Sequence, residues 1–172
     1  KLYMEALNIY KTIQDKTVNS ESNAISTRDI TSTLKVIGMV HAKKGDLDTA
    51  MEFFTEAMML LRSSGVDKTS TGGETTASVL TRMASIHAKQ SDLDKAMEHY
   101  REAYDLTVQN RGTANHQEAA GILHYIGGIY HKRSEYDDAM NCYQEAIRIY
   151  HATLGPGNPA VAGTLVMVGS IH

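Results

Sequence analysis

The sequence predicts an all-α fold, an array of antiparallel helical hairpins. Three observations predict it. A 24-residue unit recurs without gaps at residues 34–57, 80–103 and 123–146. Each copy breaks in its middle at a short polar turn, Lys44-Gly45-Asp46 in the first. On either side of that break, apolar and small residues return at helical rather than strand spacing. A chain that repeats itself at such a period is an array, each unit burying its apolar face against the next.

The unit is defined position by position. A large apolar residue comes first (Leu34, Leu80, Leu123). Three residues on is another (Ile37, Met83, Ile126), followed at once by a small one (Gly38, Ala84, Gly127). A ring comes three further on (His41, His87, Tyr130). After the turn come an alanine (Ala50, Ala96, Ala139), an aromatic (Phe54, Tyr100, Tyr143) and a second alanine (Ala57, Ala103, Ala146). Small residues let two helices approach, and large ones fill the space between turns.

This pattern, Leu-x2-Ile-Gly-x2-His … Ala-x3-Phe-x2-Ala, resembles the tetratricopeptide repeat. Half-units extend the resemblance to both ends: residues 2–10 (LYMEALNIY) match the end of a second helix, and 165–172 (LVMVGSIH) match a first helix. The period exceeds the family's usual 34 residues, and the extra length falls between units. With the stretch 154–162 (LGPGNPAVA) it is similar to the long repeats of kinesin light chains, although the two earliest linkers lack that signature. The resemblance implies a right-handed solenoid whose first helices line a concave groove and whose second helices form the convex back.

Taken in order, residues 1–15 are helix B of a partial repeat, followed by a polar connector over 15–26. The first complete repeat spans 27–62, with Ser26 or Thr27 capping helix A and Asp46 capping helix B. A loop rich in Gly, Ser and Thr over 63–76 leads to the second repeat at 74–109. Asn115, with Glu118 three residues on, resembles a capping box at the start of the third repeat, 116–154. Gly155-Pro156-Gly157 breaks that helix. Asn158 and Pro159 then open helix A of a last, partial repeat over 159–172. The chain starts at Lys1 inside a helix, so a true N-terminus is expected upstream and targeting is not read from it.

Composition narrows the function. Hydrophobic residues make up 42% and charged residues 22%, ordinary for a globular protein. A net charge of −3 argues against electrostatic binding of nucleic acid. No apolar run approaches the roughly 18 residues of a membrane span. The one cysteine, Cys142, forms no internal disulfide and fits a reducing compartment. An intracellular, cytoplasmic protein is expected.

The eight histidines invite metal or catalytic readings. His41, His87 and His172 occupy the repeat position of Tyr130, so packing explains them. His124 and His131 share a face two turns apart, too far for one ion without a third ligand. There is no His-Glu-x-x-His, no cysteine pair and no phosphate loop preceded by a strand. Cys142 reads as a buried or half-buried filler. Met51, Met58 and Met59 read as core, while Met39 and Met167 are placed toward the groove. No cofactor, metal or catalytic set is expected, and the chain is read as non-enzymatic.

Charge is more informative. The complete first helices carry Lys35 and Lys43, Arg82 and Lys89, Lys132 and Arg133, with no acid between residues 31 and 43, 77 and 90, or 120 and 133. Acids fall in the turns and second helices. Helix-dipole chemistry accounts for the terminal lysines but not for Lys35 and Arg82. Matched to the family's groove, the first repeat offers Ser32, Lys35 and Met39, and the second Ser78, Thr81, Arg82 and Ser85. The third offers Gly121, His124, Tyr125, Gly128 and His131, and the last Gly163, Val166, Met167 and Ser170. The asparagines of the two-carboxylate clamp used by some members are absent. Kinesin light chains bind peptides with an aromatic residue set among acids, and this set resembles that arrangement.

The expected function is a scaffold or adaptor that binds an extended, acidic peptide through Lys35, Met39, Ser78, Arg82, Ser85, His124, Tyr125, Gly128 and His131. Repeats about 10 Å apart and a peptide rising about 3.3 Å per residue would match acids roughly three residues apart. Two alternatives stand beside it: a structural subunit packed inside a larger assembly, and an array appended to an enzyme or signalling domain.

Overall fold

The structure, a computed structural model, describes residues 22–64 and 76–171, together with residues 4, 5, 8 and 12; of residues 22–27 and 64 it describes the backbone. The helix expected over 1–15 and most of the glycine-rich stretch 63–76 fall outside the described residues. Those described form seven helices and no strand: α1 Ser22–Lys44, α2 Leu47–Ser64, α3 Thr76–Lys89, α4 Leu93–Arg111, α5 Gln117–Lys132, α6 Tyr136–Leu154 and α7 Pro159–Gly169. They fall into two compact units, Lys1–Ile86 and His87–His172.

In the first unit α1 packs against α2. Ile30, Leu34 and Ile37 of α1 and Ala50, Phe54, Ala57, Met58 and Leu61 of α2 are buried. These are the positions the repeat register assigns inward. Close approach of the two helices rests on Gly38: a Cβ there would stand 2.8 Å from Cε1 of Phe54. α3 buries Ala77, Val79, Leu80, Ala84 and Ile86.

In the second unit α5 and α6 form the same hairpin, flanked by α4 on α5 and α7 on α6. Gly127 repeats the role of Gly38, since a Cβ would lie 2.7 Å from Cε1 of Tyr143, which is wholly buried. Burying a ring of that size contributes about 1.5–3 kcal/mol. Beyond it Ala120, Ala146, Ile149, Tyr150 and Val161 form one cluster, edged by Leu123, Ile147 and Ala160.

Four local expectations are corrected. α1 includes Ser22, so Ser26 and Thr27 stand inside it rather than at its cap, and residues 22–26 of the expected connector are helical. No glycine or proline lies between Ser22 and Ile37 to stop a helix. The cap of α5 is His116, whose Nδ1 accepts from the Glu118 amide at 3.2 Å. Asn115 instead accepts from the Arg148 guanidinium at 2.7 Å. Met59 is exposed, because the inward stripe of α2 runs through Phe54, Ala57, Met58 and Leu61. The caps at Asp92 and Asn158, with Pro159 opening α7, follow the usual side-chain-to-amide chemistry.

The turn inside each hairpin is built alike. The amide of Asp46 donates to His41 O, that of Asp92 to His87 O and that of Glu135 to Tyr130 O, at 2.9–3.1 Å. This closure needs a left-handed residue just before the donor. Gly45 fills that place at φ 86°, whereas Ser91 and Ser134 fill it at 65° and 62°. A side chain in that region costs about 1–2 kcal/mol, part of which a glycine returns through the unfolded chain. Ser91→Gly or Ser134→Gly should therefore raise unfolding free energy by up to about 1 kcal/mol. Gly45→Ala, whose Cβ would meet nothing within 4 Å, should lower it by a similar amount. Urea denaturation checks both signs.

Ala96, the counterpart of Ala50 and Ala139, is fully buried, as both of them are. Ala96→Leu should cost on the order of 1–3 kcal/mol by overpacking. An unchanged melting midpoint would contradict the register.

Candidate functional site

The residues assigned to peptide binding fall in both units. In the first, Lys35 and Ser78 come together, with the ammonium donating to Ser78 Oγ at 3.4 Å. Met39 and Ser85 are half-buried, and Arg82 is exposed. The α1 cation thus reaches the next first helix, α3.

The second unit repeats that move with different chemistry. His124 occupies the register position of Lys35, and its Nδ1 lies 3.0 Å from Thr164 Oγ1 on α7. The Thr164 hydroxyl donates its own proton to Ala160 O at 2.8 Å. Its oxygen is therefore the acceptor for His124, which fixes the hydrogen on Nδ1 and leaves Nε2 as an acceptor. The His124 ring also packs on Tyr125 and Tyr143, with centroids 5.7 Å away in each case. His131 does not join His124; its ring packs edge-on against Tyr136 at 5.7 Å.

Tyr125 and Gly128 stand out as a pair. Tyr125 is 44% exposed, yet its ring stacks on Tyr100 at 5.4 Å with the planes 14° apart. Stacking of this kind holds a ring in place while leaving one face open. Gly128 lies one helical turn along and presents no side chain. Beneath it sits the Tyr143 hydroxyl, 3.8 Å from where a Cβ would be, with no hydrogen-bond partner among the described residues. Sequence reasoning named Tyr125 and Gly128, but not Tyr100, whose register position marked it only as core.

Several charges that suggested a basic face are engaged elsewhere. Lys132 donates to Ala88 O at 3.2 Å, and Arg133 pairs with Asp94. Both tie the second hairpin turn to the third. Cys142 is half-buried, and burial together with Asp138 pushes its thiol pKa up. A thiol so placed is a poor nucleophile, in keeping with a filler. Among the described residues no three His, Cys, Asp or Glu side chains gather in a way that could hold a metal ion, and no helix is long and apolar enough to cross a membrane.

Two family models, both of the tetratricopeptide repeat, match residues 75–151 and 36–60, together more than half of the chain. The chain belongs to the tetratricopeptide repeat family, whose repeats are protein–protein interaction modules. Within that family it resembles the kinesin light chain type. Its fold is similar to that of BtubC (BKLC) from P. vanneervenii, at 16% identity and a TM-score of 0.76, over 98% of this chain and 62% of that one. It is also similar to a putative kinesin light chain with nearly identical TPR-like repeats from Podosopora anserina, at 13% identity and a TM-score of 0.60, over 98% and 77%. The N-terminal domain of stress-induced protein-1 (STI-1) from C. elegans matches at 11% identity and a TM-score of 0.58, over 83% and 97%. The chain therefore spans less than two thirds of the length of BtubC, and at these identities the likeness shows the fold alone. No curated protein matches the sequence.

Two half-buried histidines make a pH prediction. Burial holds the His124 pKa below the usual imidazole value, and burial with His99 does the same for His87. The unfolded chain then binds more protons than the folded one, so stability is intact above about pH 6.5 and falls as pH drops below it. Asp46, Asp92 and Glu145 are held below their usual values by hydrogen bonds, chiefly from His41, Lys95 and Arg148, so they stay ionised down to pH 5. The melting midpoint should drop between pH 7 and pH 5. His124→Asn, which keeps a donor toward Thr164 but does not titrate, should show a smaller drop.

Proposed function

We propose that the chain is a non-enzymatic scaffold or adaptor, working in the cytoplasm, that binds an extended acidic peptide carrying an aromatic residue. The observation that supports this most is Tyr125, an exposed ring held by Tyr100 next to the side-chain-free Gly128. Such a ring offers apolar contact at little cost in side-chain entropy. Arg82, exposed on α3, and Lys35 supply positive charge to the acidic residues. His124 and His131, both half-buried, join this surface while also packing on neighbouring rings. Met39, Ser78 and Ser85 complete the contact in the first unit with small or flexible groups.

A second reading, a subunit packed within a larger assembly, draws support from Leu165 and Val166 on α7. They are adjacent apolar side chains, 51% and 70% exposed.

The test is a fluorescence titration with an acidic peptide bearing one tryptophan. Exposed ion pairs contribute about 0.2–1 kcal/mol each, so Lys35→Glu with Arg82→Glu should weaken binding about tenfold at low salt and less at moderate salt. Tyr125→Ala should weaken it at both salts with helix content unchanged. Equal affinity of all three proteins would remove the peptide surface and favour the assembly subunit.

A further inference from the structure

The hairpin turn of the second repeat holds a pair of side chains that the peptide reading does not use. His87, near the end of α3, and His99, in the second turn of α4, face each other with ring centroids 5.3 Å apart and planes inclined at 44°. In the first repeat the same two positions are His41 and Phe53, at 5.6 Å. In the third they are Tyr130 and Cys142. The second repeat alone puts two imidazoles there.

We propose that His87 and His99 form a two-histidine binding site for a late first-row divalent metal ion, with zinc as its probe. Imidazole nitrogens sit about 2.0–2.1 Å from zinc, and a roughly tetrahedral angle between them puts two ring centroids about 5 Å apart. The observed separation of 5.3 Å matches that span.

The surroundings suit a ligand pair. His99 Nδ1 lies 2.9 Å from Lys95 O, and a carbonyl only accepts, so Nδ1 carries the hydrogen. This leaves Nε2 with the lone pair and the ring oriented by a backbone carbonyl, the arrangement typical of metal-ligating histidines. The nearby Lys95 charge is offset by Asp92 at 2.8 Å, which lessens its repulsion of a cation. With two protein ligands, the remaining coordination positions are left to water or to a side chain of another molecule. An ion held there would staple the end of α3 to the start of α4 across the turn at Ser91.

Metal-stripped protein melted at pH 7.5 with increasing zinc chloride tests the site. At a hundredfold excess over Kd, the linkage between binding and folding predicts a midpoint about 5–10 °C higher. His99→Phe, which copies the His41–Phe53 pair and so keeps a packing partner, should lose that rise and one site from a calorimetric titration. His87→Tyr, which copies Tyr130, should do the same. The rise should shrink at pH 5.5, where protons compete for the imidazoles. A rise of equal size in both variants would place the zinc at other histidines, and no rise in the parent protein would leave no site; either result overturns the proposal.

Discussion

The first and third hairpins each depend on one close approach, an aromatic ring of the second helix lying on a glycine of the first. Phe54 rests on Gly38 and Tyr143 on Gly127, both nearer than a methyl group would allow without movement. The alanines Ala50, Ala57, Ala139 and Ala146, all fully buried, keep the helix backbones close enough for that contact. The ring then fills the space the small residues leave, and the closed turn fixes the register of one helix on the other. Apolar faces created by the hairpin are covered by the next helix, as Ile149 and Tyr150 are by Val161. Packing at this density tolerates little change in volume.

The same register that fixes the core distributes chemistry over the surface. The position three before the glycine is Lys35 in one repeat and His124 in another, and both reach a hydroxyl on the following first helix. One register position thus serves the stacking of repeats through different side chains. The neighbouring position, Arg82 or Tyr125, points outward. Stacking and exposure are therefore divided between adjacent residues, which lets the outward one vary without disturbing the fold.

Much of the fold was legible because the repeat states it three times. Inward positions, the polar turns and the caps at Asp46 and Asn158 could be read from spacing alone. Helix starts were less legible. Serine and threonine near Ser22 suit a cap and are tolerated inside a helix, so sequence did not separate the two. His116 was missed as a cap because imidazole is an uncommon one. Of the surface residues, Tyr125 and Gly128 were reached through register. The stacking of Tyr125 on Tyr100 was not, because it joins successive repeats and no local spacing encodes it. The contacts of Lys132 and Arg133 were hidden for the same reason: their partners, Ala88 and Asp94, lie about forty residues away in sequence.

The left-handed serines have a consequence for how such an array comes apart. In a chain of stacked repeats, stability is close to a sum of local terms and nearest-neighbour couplings, and opening can begin at any weak link. The turn at Gly45 is relaxed, whereas those at Ser91 and Ser134 hold a conformation that resists their side chains. Partial opening should therefore begin at the second and third turns, giving an intermediate in which the first hairpin outlasts its neighbours. Three turns with one hydrogen-bond scheme then form a graded series rather than three equal units, ordered by a single backbone angle.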